Sequence, residues 1–174
     1  MFRLFLKAMS LIVVLPATTL AATLESLEFT VPVSVSALTI HGKVENQDFQ
    51  IEKNEKGIQS IQISIPADHF KTGIELRDRH MRDKIFTDSQ GTVHPIAFKS
   101  KNIVCSSTDS CKASGSLSIR GITRPYNLSF TYKDNQAVIQ GSVLLSDFEI
   151  SPPGYLGVNV KNEIVFQGKI SESL

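Results

Sequence analysis

Residues 115–133, GSLSIRGITRPYNLSFTYK, contain two runs of alternating apolar and polar residues on either side of an Arg-Gly pair. The apolar positions are Leu117 and Ile119 in the first run, and Tyr126, Leu128, Phe130 and Tyr132 in the second. Because successive side chains of a strand point to opposite faces, this period of two predicts two antiparallel strands, each with one apolar face. Gly121 is expected to give the backbone freedom that the tight turn between them requires.

The same alternation recurs along the rest of the chain. Strand-like runs have one-sided apolar residues at Leu27, Phe29, Val31, Val33 and Val35, at Ile61, Ile63 and Ile65, at Ile96 and Phe98, at Ile139, Val143 and Leu145, and at Ile164, Phe166 and Ile170. The connections are short and rich in turn residues, as hairpins require. The sequence therefore predicts an all-β, antiparallel domain of about eight strands. Because exposed edges invite aggregation, the strands must form a sandwich or close into a barrel, and periodicity does not choose between the two.

The amino-terminal residues have the features of an export signal. Residues 1–22, MFRLFLKAMSLIVVLPATTLAA, begin with Arg3 and Lys7, continue into an apolar run and end in small residues suited to signal-peptidase cleavage. The apolar run is shorter than the ~18 residues that a membrane-spanning helix needs. We therefore predict a cleaved signal peptide at residues 1–22, one domain at residues 23–174, and a location in the periplasm or outside the cell.

Charge excludes one class of partner. The chain has 18 Lys and Arg against 17 Asp and Glu, and loss of Arg3 and Lys7 with the signal peptide leaves 16 against 17, a net charge of −1. A nucleic-acid-binding protein needs a clustered basic surface, whereas here basic and acidic residues are interleaved, so no nucleic-acid partner is expected. No later segment is suited to span a membrane. The oligomeric state is left open, with a homodimer as one alternative.

The two cysteines flank a short polar turn. Cys105 and Cys111 enclose SSTDS and lie between two strand-like runs, so they are expected to face each other across a hairpin. An exported protein meets an oxidising compartment. We therefore predict a disulfide bond between them. A metal pair would need further Cys or His at short spacing, which the sequence does not offer.

The connection between Pro66 and Pro95 is too long for a hairpin loop and should have structure of its own. Within it, residues 74–86, IELRDRHMRDKIF, fit a helix with an apolar stripe along one side. The stripe comprises Leu76, Met81, Ile85 and Phe86, and the other side comprises Asp78, Arg79, Arg82 and Asp83. Such a helix is expected to lie across the open end of the β structure as a short lid, with its charged side in water.

No motif assembles catalytic groups. Ser and Thr occur without a Gly-x-Ser-x-Gly turn, and no tight metal-ligand spacing gathers His69, His80 and His94. These histidines are expected to be hydrogen-bonded structural groups, with Asp68 beside His69 and Asp78 near His80 as partners. We therefore expect a protein that is not an enzyme, that binds no metal and that uses no cofactor.

Two segments carry a family resemblance. Residues 71–100 contain a Thr-Gly pair, Arg-Asp-x-His-Met and Pro-x-x-Phe-x-Ser, and residues 113–130 contain Gly-x-Leu-x-Ile-x-Gly-Ile-Thr-x-Pro. Their order and spacing resemble the YceI-like family across residues 61–130. The resemblance implies a lipocalin-like antiparallel β-barrel, exported to the periplasm, that holds a polyisoprenoid or similar apolar chain inside. Two departures affect the barrel mouth: the first hairpin lacks an Asp-x-x-His-Ser stretch, and an insertion at residues 88–95 places His94 where Tyr is more usual.

The inward-facing residues and the lid define the expected binding site. With the resemblance, their apolar character favours a cavity, whereas without it the same residues describe a packed sandwich core. The expected ligand-binding residues are Phe29, Ile63, Leu76, Arg77, His80, Met81, Phe86, Phe98, Leu117, Ile119, Phe130, Val143, Leu145 and Phe166. Arg77 and His80 are the candidates for contact with a polar head group, such as a quinone ring or a pyrophosphate.

The expected function is binding or carriage of a long apolar chain, namely a polyisoprenoid, an isoprenoid quinone or a fatty-acid derivative, without catalysis. Each buried CH₂ contributes about 0.8 kcal/mol, so a tunnel lined by hydrocarbon binds such a chain without reactive groups. The alternative is a solid barrel whose loops, such as SPPGYLG at residues 151–157, bind another protein of the cell envelope. An enzyme acting on lipids is the least favoured interpretation, because no nucleophile, acid and base come together.

Overall fold

A computed structural model describes residues 18–35, 38–45, 48–54, 57–106, 109–134, 136–155 and 158–172 of the chain. Most of the predicted signal peptide, residues 1–17, lies outside these ranges. Residues 18–21 begin the first strand and pair with residues 50–53. Cleavage after residue 22 stays a prediction, and it would remove this part of β1 together with its pairing to β3.

The structure is predominantly antiparallel β. The strands are β1 Thr18–Pro32, β2 Thr39–Val44, β3 Asp48–Asn54, β4 Gly57–Ile65, β5 Phe70–Lys71, β6 Ile96–Cys105, β7 Ser110–Ile119, β8 Ile122–Lys133, β9 Gln136–Leu144, β10 Gly154–Tyr155, β11 Val158–Asn159 and β12 Glu163–Glu172. Helical structure comprises α1 Glu75–Met81, the π-helical turn Arg82–Phe86, and short 3₁₀ turns at Ala67–His69 and Leu145–Phe148. None of these helices has the length and apolar character that crossing a membrane requires, over the ranges that the structure covers.

Eight of the described strands close into a barrel, which decides between the barrel and the sandwich. Neighbouring strands follow the order β12, β9, β8, β7, β6, β4, β3 and β1, and β12 pairs back onto β1. The closing ladder includes Phe29 opposite Phe166. β2 pairs with the carboxy-terminal part of β1, where Pro32 lies opposite Thr39, and β5 pairs with β2. The predicted antiparallel barrel of about eight strands is confirmed.

Alternation of side chains places the apolar residues inside this barrel. In β8, Leu128 and Phe130 are buried while Asn127, Ser129 and Thr131 are exposed. The strands therefore have the one apolar face that the period of two predicted. One predicted inward position is wrong, because Val35 is 44% exposed. β1 ends at Pro32, so Val35 lies beyond the strand and its side chain does not follow the inward-outward alternation.

The hairpin between β7 and β8 has the tight turn that the sequence predicted. Ile119 pairs with Ile122, and the two residues between them, Arg120 and Gly121, have φ values of +55° and +78°. Two successive left-handed residues are the geometry of a two-residue hairpin turn, and glycine adopts it without a steric penalty. Arg120 also donates from Nε to the carbonyl oxygen of Thr87 at 2.8 Å, which ties this turn to the segment after the π-helical turn.

The predicted disulfide bond is present. Cys105 at the end of β6 lies opposite Cys111 near the start of β7, with Cα atoms 4.0 Å apart, and the two sulfurs are bonded. Within SPPGYLG, which was expected to be a loop, Gly154 and Tyr155 form the short strand β10, which pairs with β11 through two residues on each side. The expectation of a plain loop there is wrong.

Candidate ligand-binding site

The barrel encloses a cavity of about 910 Å³ at one end. Thirteen of the fourteen predicted ligand-binding residues line it: Phe29, Ile63, Leu76, Arg77, His80, Met81, Phe86, Phe98, Leu117, Ile119, Val143, Leu145 and Phe166. Inside an eight-stranded barrel, side chains either fill the space or leave room for one small ligand. A pocket volume of roughly 300 to 1,000 Å³ is typical of small-molecule sites, so this end of the barrel is hollow enough to hold a ligand.

Phe130 is the predicted residue that the structure places elsewhere. It is 3% exposed but does not line the cavity. It pairs with Ile139, which lines the cavity, and with Cys111, which does not, so it lies at the boundary between the cavity and the other end of the barrel. There, buried side chains that include Ile51 and Ile170 fill the interior. Alternation places Phe130 inside correctly, but it does not show where along the barrel axis the packed core ends and the cavity begins.

Several lining residues were not in the predicted set. They include Leu27, Val31, Val33, Ile40, Val44, Ile65, Phe70, Ile74, Lys84, Ile85, Ile96, Tyr126, Leu128, Ile139, Val158, Val160 and Ile164. Many of them, such as Leu27, Val31 and Ile164, share the alternation of the residues that were predicted, so the same signal could have identified them. Val158 and Val160 have the same alternation as Ile164 and Phe166, so this signal could have identified them as well.

The lid, defined here as residues 75–86, covers the cavity with its apolar side. Met81 and Ile85 are half-buried, and Phe86 is only 2% exposed. The Phe86 ring lies 4.9 Å from the ring of Phe70, centroid to centroid. Leu76 lines the cavity at its rim and is 55% exposed. The predicted lid and its apolar stripe are therefore present.

The charged side of the lid differs from the prediction at Asp78. Its carboxylate is half-buried, and Oδ1 accepts hydrogen bonds from the backbone N–H and the hydroxyl of Thr72, at 2.8 and 2.6 Å. Asp78 was expected in water, with His80 as a partner. Both expectations are wrong, because helical spacing does not reveal that the chain before the helix passes beside this face.

The ionisable groups at the cavity are concentrated on the lid. Arg77, His80 and Lys84 line it, at the spacing of three and four residues that places side chains on one helix face. No Asp or Glu of the described residues lines the cavity. The rim on the lid side is therefore lined by basic groups, and most of the remaining wall is hydrocarbon.

Tyr126 adds a single hydroxyl to the cavity wall. Its ring meets Phe98 edge to face, with centroids 6.3 Å apart, and its hydroxyl donates to the carbonyl oxygen of Ser142 at 2.9 Å. Burial raises the pKa of this hydroxyl, so it stays protonated at neutral pH and donates its hydrogen to Ser142.

The other histidines lie in structural positions. His94 bonds through Nε2 to Asp88 at 2.8 Å, and this hydrogen bond is the main cause that lowers the pKa of the Asp88 carboxyl. Nδ1 of His69 is buried without a hydrogen-bond partner, and Asp68 is exposed, so the predicted pairing of these two residues is wrong. Within the described ranges, no three His, Cys, Asp or Glu side chains gather as metal ligands.

A closed antiparallel barrel with a hydrocarbon-lined interior and a helical lid has the architecture of a lipocalin-like, small-ligand-binding barrel. The model of the YceI-like domain matches residues 19–171. The chain therefore belongs to the YceI-like family, as the motifs in residues 71–100 and 113–130 indicated. No curated protein matches the sequence significantly.

Solved structures share the fold at low sequence identity. BcnA from Burkholderia cenocepacia is 14% identical, with a TM-score of 0.68 over 85% of this chain and 96% of its own. A YceI protein from Campylobacter jejuni is 16% identical, with a TM-score of 0.63 over 78% and 85% of the two chains. A polyisoprenoid-binding domain from Saccharophagus degradans, implicated in plant cell wall breakdown, is 12% identical, with a TM-score of 0.59 over 88% and 99%.

Proposed function

We propose that the protein binds or carries one long apolar chain, a polyisoprenoid, an isoprenoid quinone or a fatty-acid derivative, in the periplasm and without catalysis. The observation that carries this proposal is the cavity of about 910 Å³ with its hydrocarbon wall. Each CH₂ that moves from water into such a wall contributes about 0.8 kcal/mol, so a chain of ten or more carbons binds favourably without a reactive group. The polyisoprenoid-binding domain from Saccharophagus degradans, which shares the fold, supports the same class of ligand.

The location rests on two features of the sequence. Residues 1–22 have the basic start, apolar centre and small end of a signal peptide. The bond between Cys105 and Cys111 is typical of a protein that matures in an oxidising compartment. A carrier in the periplasm would shield its chain from water between membranes.

The head group of the ligand is proposed to meet the lid. Arg77, His80 and Lys84 supply hydrogen-bond donors on one face, with no carboxylate of the described cavity lining to oppose them. This arrangement favours a head group that accepts hydrogen bonds, and an anionic one most strongly, because hydrogen bonds to charged groups are stronger than neutral ones.

Extraction tests the proposal directly. We expect organic extraction of protein purified without detergent, followed by mass spectrometry, to recover a prenyl or acyl chain. At a hundredfold excess over Kd, a ligand stabilises the folded state by about 2.7 kcal/mol, or roughly 5 to 10 °C in Tm, so stripping should lower Tm and refilling should restore it. An empty extract, together with no Tm shift from any prenyl or acyl chain, would refute carriage and favour a protein-interaction module.

A pair of ligands and a pair of variants test the head-group contact. A fatty acid and the alcohol of the same chain length share the hydrocarbon chain and differ in the head group, an anionic carboxylate in one and a neutral hydroxyl in the other. Arg77→Gln should weaken binding of the acid about tenfold and that of the alcohol much less. Arg79→Gln is the matched control, because Arg79 is exposed on the same helix and does not line the cavity. Equal losses of affinity for the acid and the alcohol would show that Arg77 does not contact the head group. The proposal that the cavity binds the apolar chain would still stand.

A further inference from the structure

The barrel wall has a gap between two neighbouring strands. β8 and β9 pair only from Ser129 opposite Gln140 to Lys133 opposite Gln136. Beyond that point, residues 122–128 of β8 pair only with β7, and residues 141–144 of β9 pair only with β12, among the described residues. We call these two facing segments the seam. Their facing edges have no strand-to-strand ladder to hold them together.

Side chains hold the seam at two places. Arg124 closes its far end, where Nε donates to the carbonyl oxygen of Asp147 at 2.9 Å and a terminal nitrogen lies 3.4 Å from Glu149. In the middle, the hydroxyl of Tyr126 reaches across to the carbonyl oxygen of Ser142 at 2.9 Å. Among the described residues, this neutral hydrogen bond is the one side-chain bond that spans the central part of the gap.

The seam separates the cavity from a second depression on the outside of the barrel. This groove has a volume of about 540 Å³. It is lined by Ser114, Gly115, Pro125, Tyr126, Asn127, Ser129, Gln140, Gly141 and Ser142. Among the described residues, Tyr126 alone lines both the groove and the cavity. Its ring is therefore the partition between the outside and the hydrocarbon interior.

Gly141 leaves space for this partition. A Cβ atom there would lie 2.7 Å from the Tyr126 hydroxyl and 2.6 Å from the ring of Phe166, which lines the cavity. The absence of a side chain at Gly141 thus leaves room for both the Tyr126 hydroxyl and the Phe166 ring.

The lid end is held more firmly and is more polar. Thr72 bonds twice to Asp78. The carbonyl oxygens of Phe86 and Thr87 accept hydrogen bonds from His94 and Arg120. A chain that passes the lid must also pass the basic groups of the rim, whereas the groove at the seam has no charged lining residue. Opening the centre of the seam disrupts one neutral hydrogen bond and the edge-to-face contact of the Tyr126 ring with Phe98, and it breaks no ion pair.

We propose that the seam is a lateral portal, gated by Tyr126, through which an uncharged hydrocarbon chain enters and leaves the cavity. This proposal rests on the proposed function, since it requires that the cavity bind an apolar chain. Rotation of the Tyr126 ring away from Ser142 joins the groove to the cavity. The chain then crosses the wall between uncharged side chains, and the ring closes behind it.

Exchange kinetics test the gate. The probe is all-trans-retinol, a neutral and fluorescent isoprenoid, whose transfer between the protein and phosphatidylcholine vesicles is followed by stopped flow. Tyr126→Phe keeps the ring and removes the bond to Ser142, and it should accelerate both uptake and release about fivefold. A lost contact with the bound chain would accelerate release alone. Tyr132→Phe is the matched control, because it removes a hydroxyl from β8 where β8 and β9 are fully paired.

Blocking the portal gives a second, independent measurement. Asn127→Cys labelled with a bulky maleimide obstructs the groove and should slow retinol exchange several-fold. Thr131→Cys with the same label lies on the same strand and face, beyond the seam, and should exchange like the wild type. Suppose that Tyr126→Phe and labelled Asn127→Cys both bind retinol normally and exchange it at the wild-type rate. This result would overturn the portal proposal but not the proposed function. Failure of the wild-type protein to bind retinol or any longer prenyl or acyl chain would overturn the proposed function and the portal with it.

Discussion

One carboxylate oxygen of Asp78 accepts two hydrogen bonds from Thr72, one from its backbone N–H at 2.8 Å and one from its hydroxyl at 2.6 Å. These bonds connect the chain just after β5 to the second half of α1. The residue before α1, Ile74, provides no side-chain cap for the helix. The Thr72–Asp78 contact therefore holds a seven-residue helix that is too short to be stable alone and fixes it over the cavity.

Removal of this contact is expected to loosen the lid. Asp78→Ala should lower the free energy of unfolding by about 1 to 2 kcal/mol, because two hydrogen bonds to a half-buried carboxylate are lost. It should also increase hydrogen exchange at the amides of residues 75–86. Asp83→Ala is the control, since Asp83 is an exposed acid of the same lid whose contact with Arg82 is 3.8 Å. Equal exchange in the two variants would show that Thr72 does not hold the lid.

The side of the barrel wall on which a substituted side chain lies should decide its effect on ligand uptake. Val143 and Val138 are both on β9, but Val143 lines the cavity and Val138 is 40% exposed outside. Val143→Phe should weaken retinol binding about tenfold, because the larger side chain takes up part of the cavity volume that the ligand occupies. Val138→Phe should bind retinol like the wild type. Similar losses in both variants, measured by fluorescence titration, would contradict the inward assignment.

Reduction of the disulfide bond should weaken the barrel without unfolding it. The bond between Cys105 and Cys111 closes a loop with a sequence separation of 6, and the chain-entropy estimate for so short a loop is roughly 2 kcal/mol. The strand pairing around it remains, so a Cys105→Ser, Cys111→Ser variant should keep the β-sheet circular dichroism spectrum and lose stability in urea. If this variant is unfolded in buffer at room temperature, the barrel requires the disulfide bond in order to fold, and the prediction is wrong.

The direction of side chains along each strand could be predicted from local periodicity. The pairing of strands that are far apart in sequence could not. Alternation placed Phe29, Phe98 and Phe166 inward because side-chain direction depends only on neighbouring residues. The Phe29–Phe166 pairing that closes the barrel joins residues far apart in sequence, and no local pattern encodes it. The seam arises where β9 separates from β8, so the position of Tyr126 in the wall follows from the tertiary arrangement.

Acid should weaken the segment after the lid. Asp88 accepts hydrogen bonds from His94 and from the backbone of Thr92 and Gln90, and these bonds lower the pKa of its carboxyl in the folded state. A lowered folded pKa means that Asp88 contributes stability above its ordinary value of 3.8 and that this contribution is lost as pH falls through the folded value. Urea unfolding should show that Asp88→Asn is less stable than the wild type at pH 6 and that the difference shrinks below pH 4. A constant difference across this range would contradict the assignment.

The turn glycine at position 121 gives the most specific test of the packing beneath the hairpin. Gly121 and Gly91 both have positive φ values, +78° and +83°, and a Cβ atom is strained at either position. At Gly91 the new atom would have nothing within 4 Å, whereas at Gly121 it would lie 3.1 Å from the ring of His94. Gly91→Ala should therefore destabilise the protein by about 1 kcal/mol, and Gly121→Ala by more.

A double-mutant cycle can show why Gly121→Ala destabilises the protein more than Gly91→Ala does. If contact with the His94 ring causes it, then Gly121→Ala made in the His94→Ala background should cost no more than Gly91→Ala, and the two changes should be non-additive. The measurement is the free energy of urea unfolding for the four proteins of the cycle, with Gly91→Ala as the reference for backbone strain. Full additivity would show that His94 moves aside without cost and that the turn, rather than the ring beneath it, requires glycine.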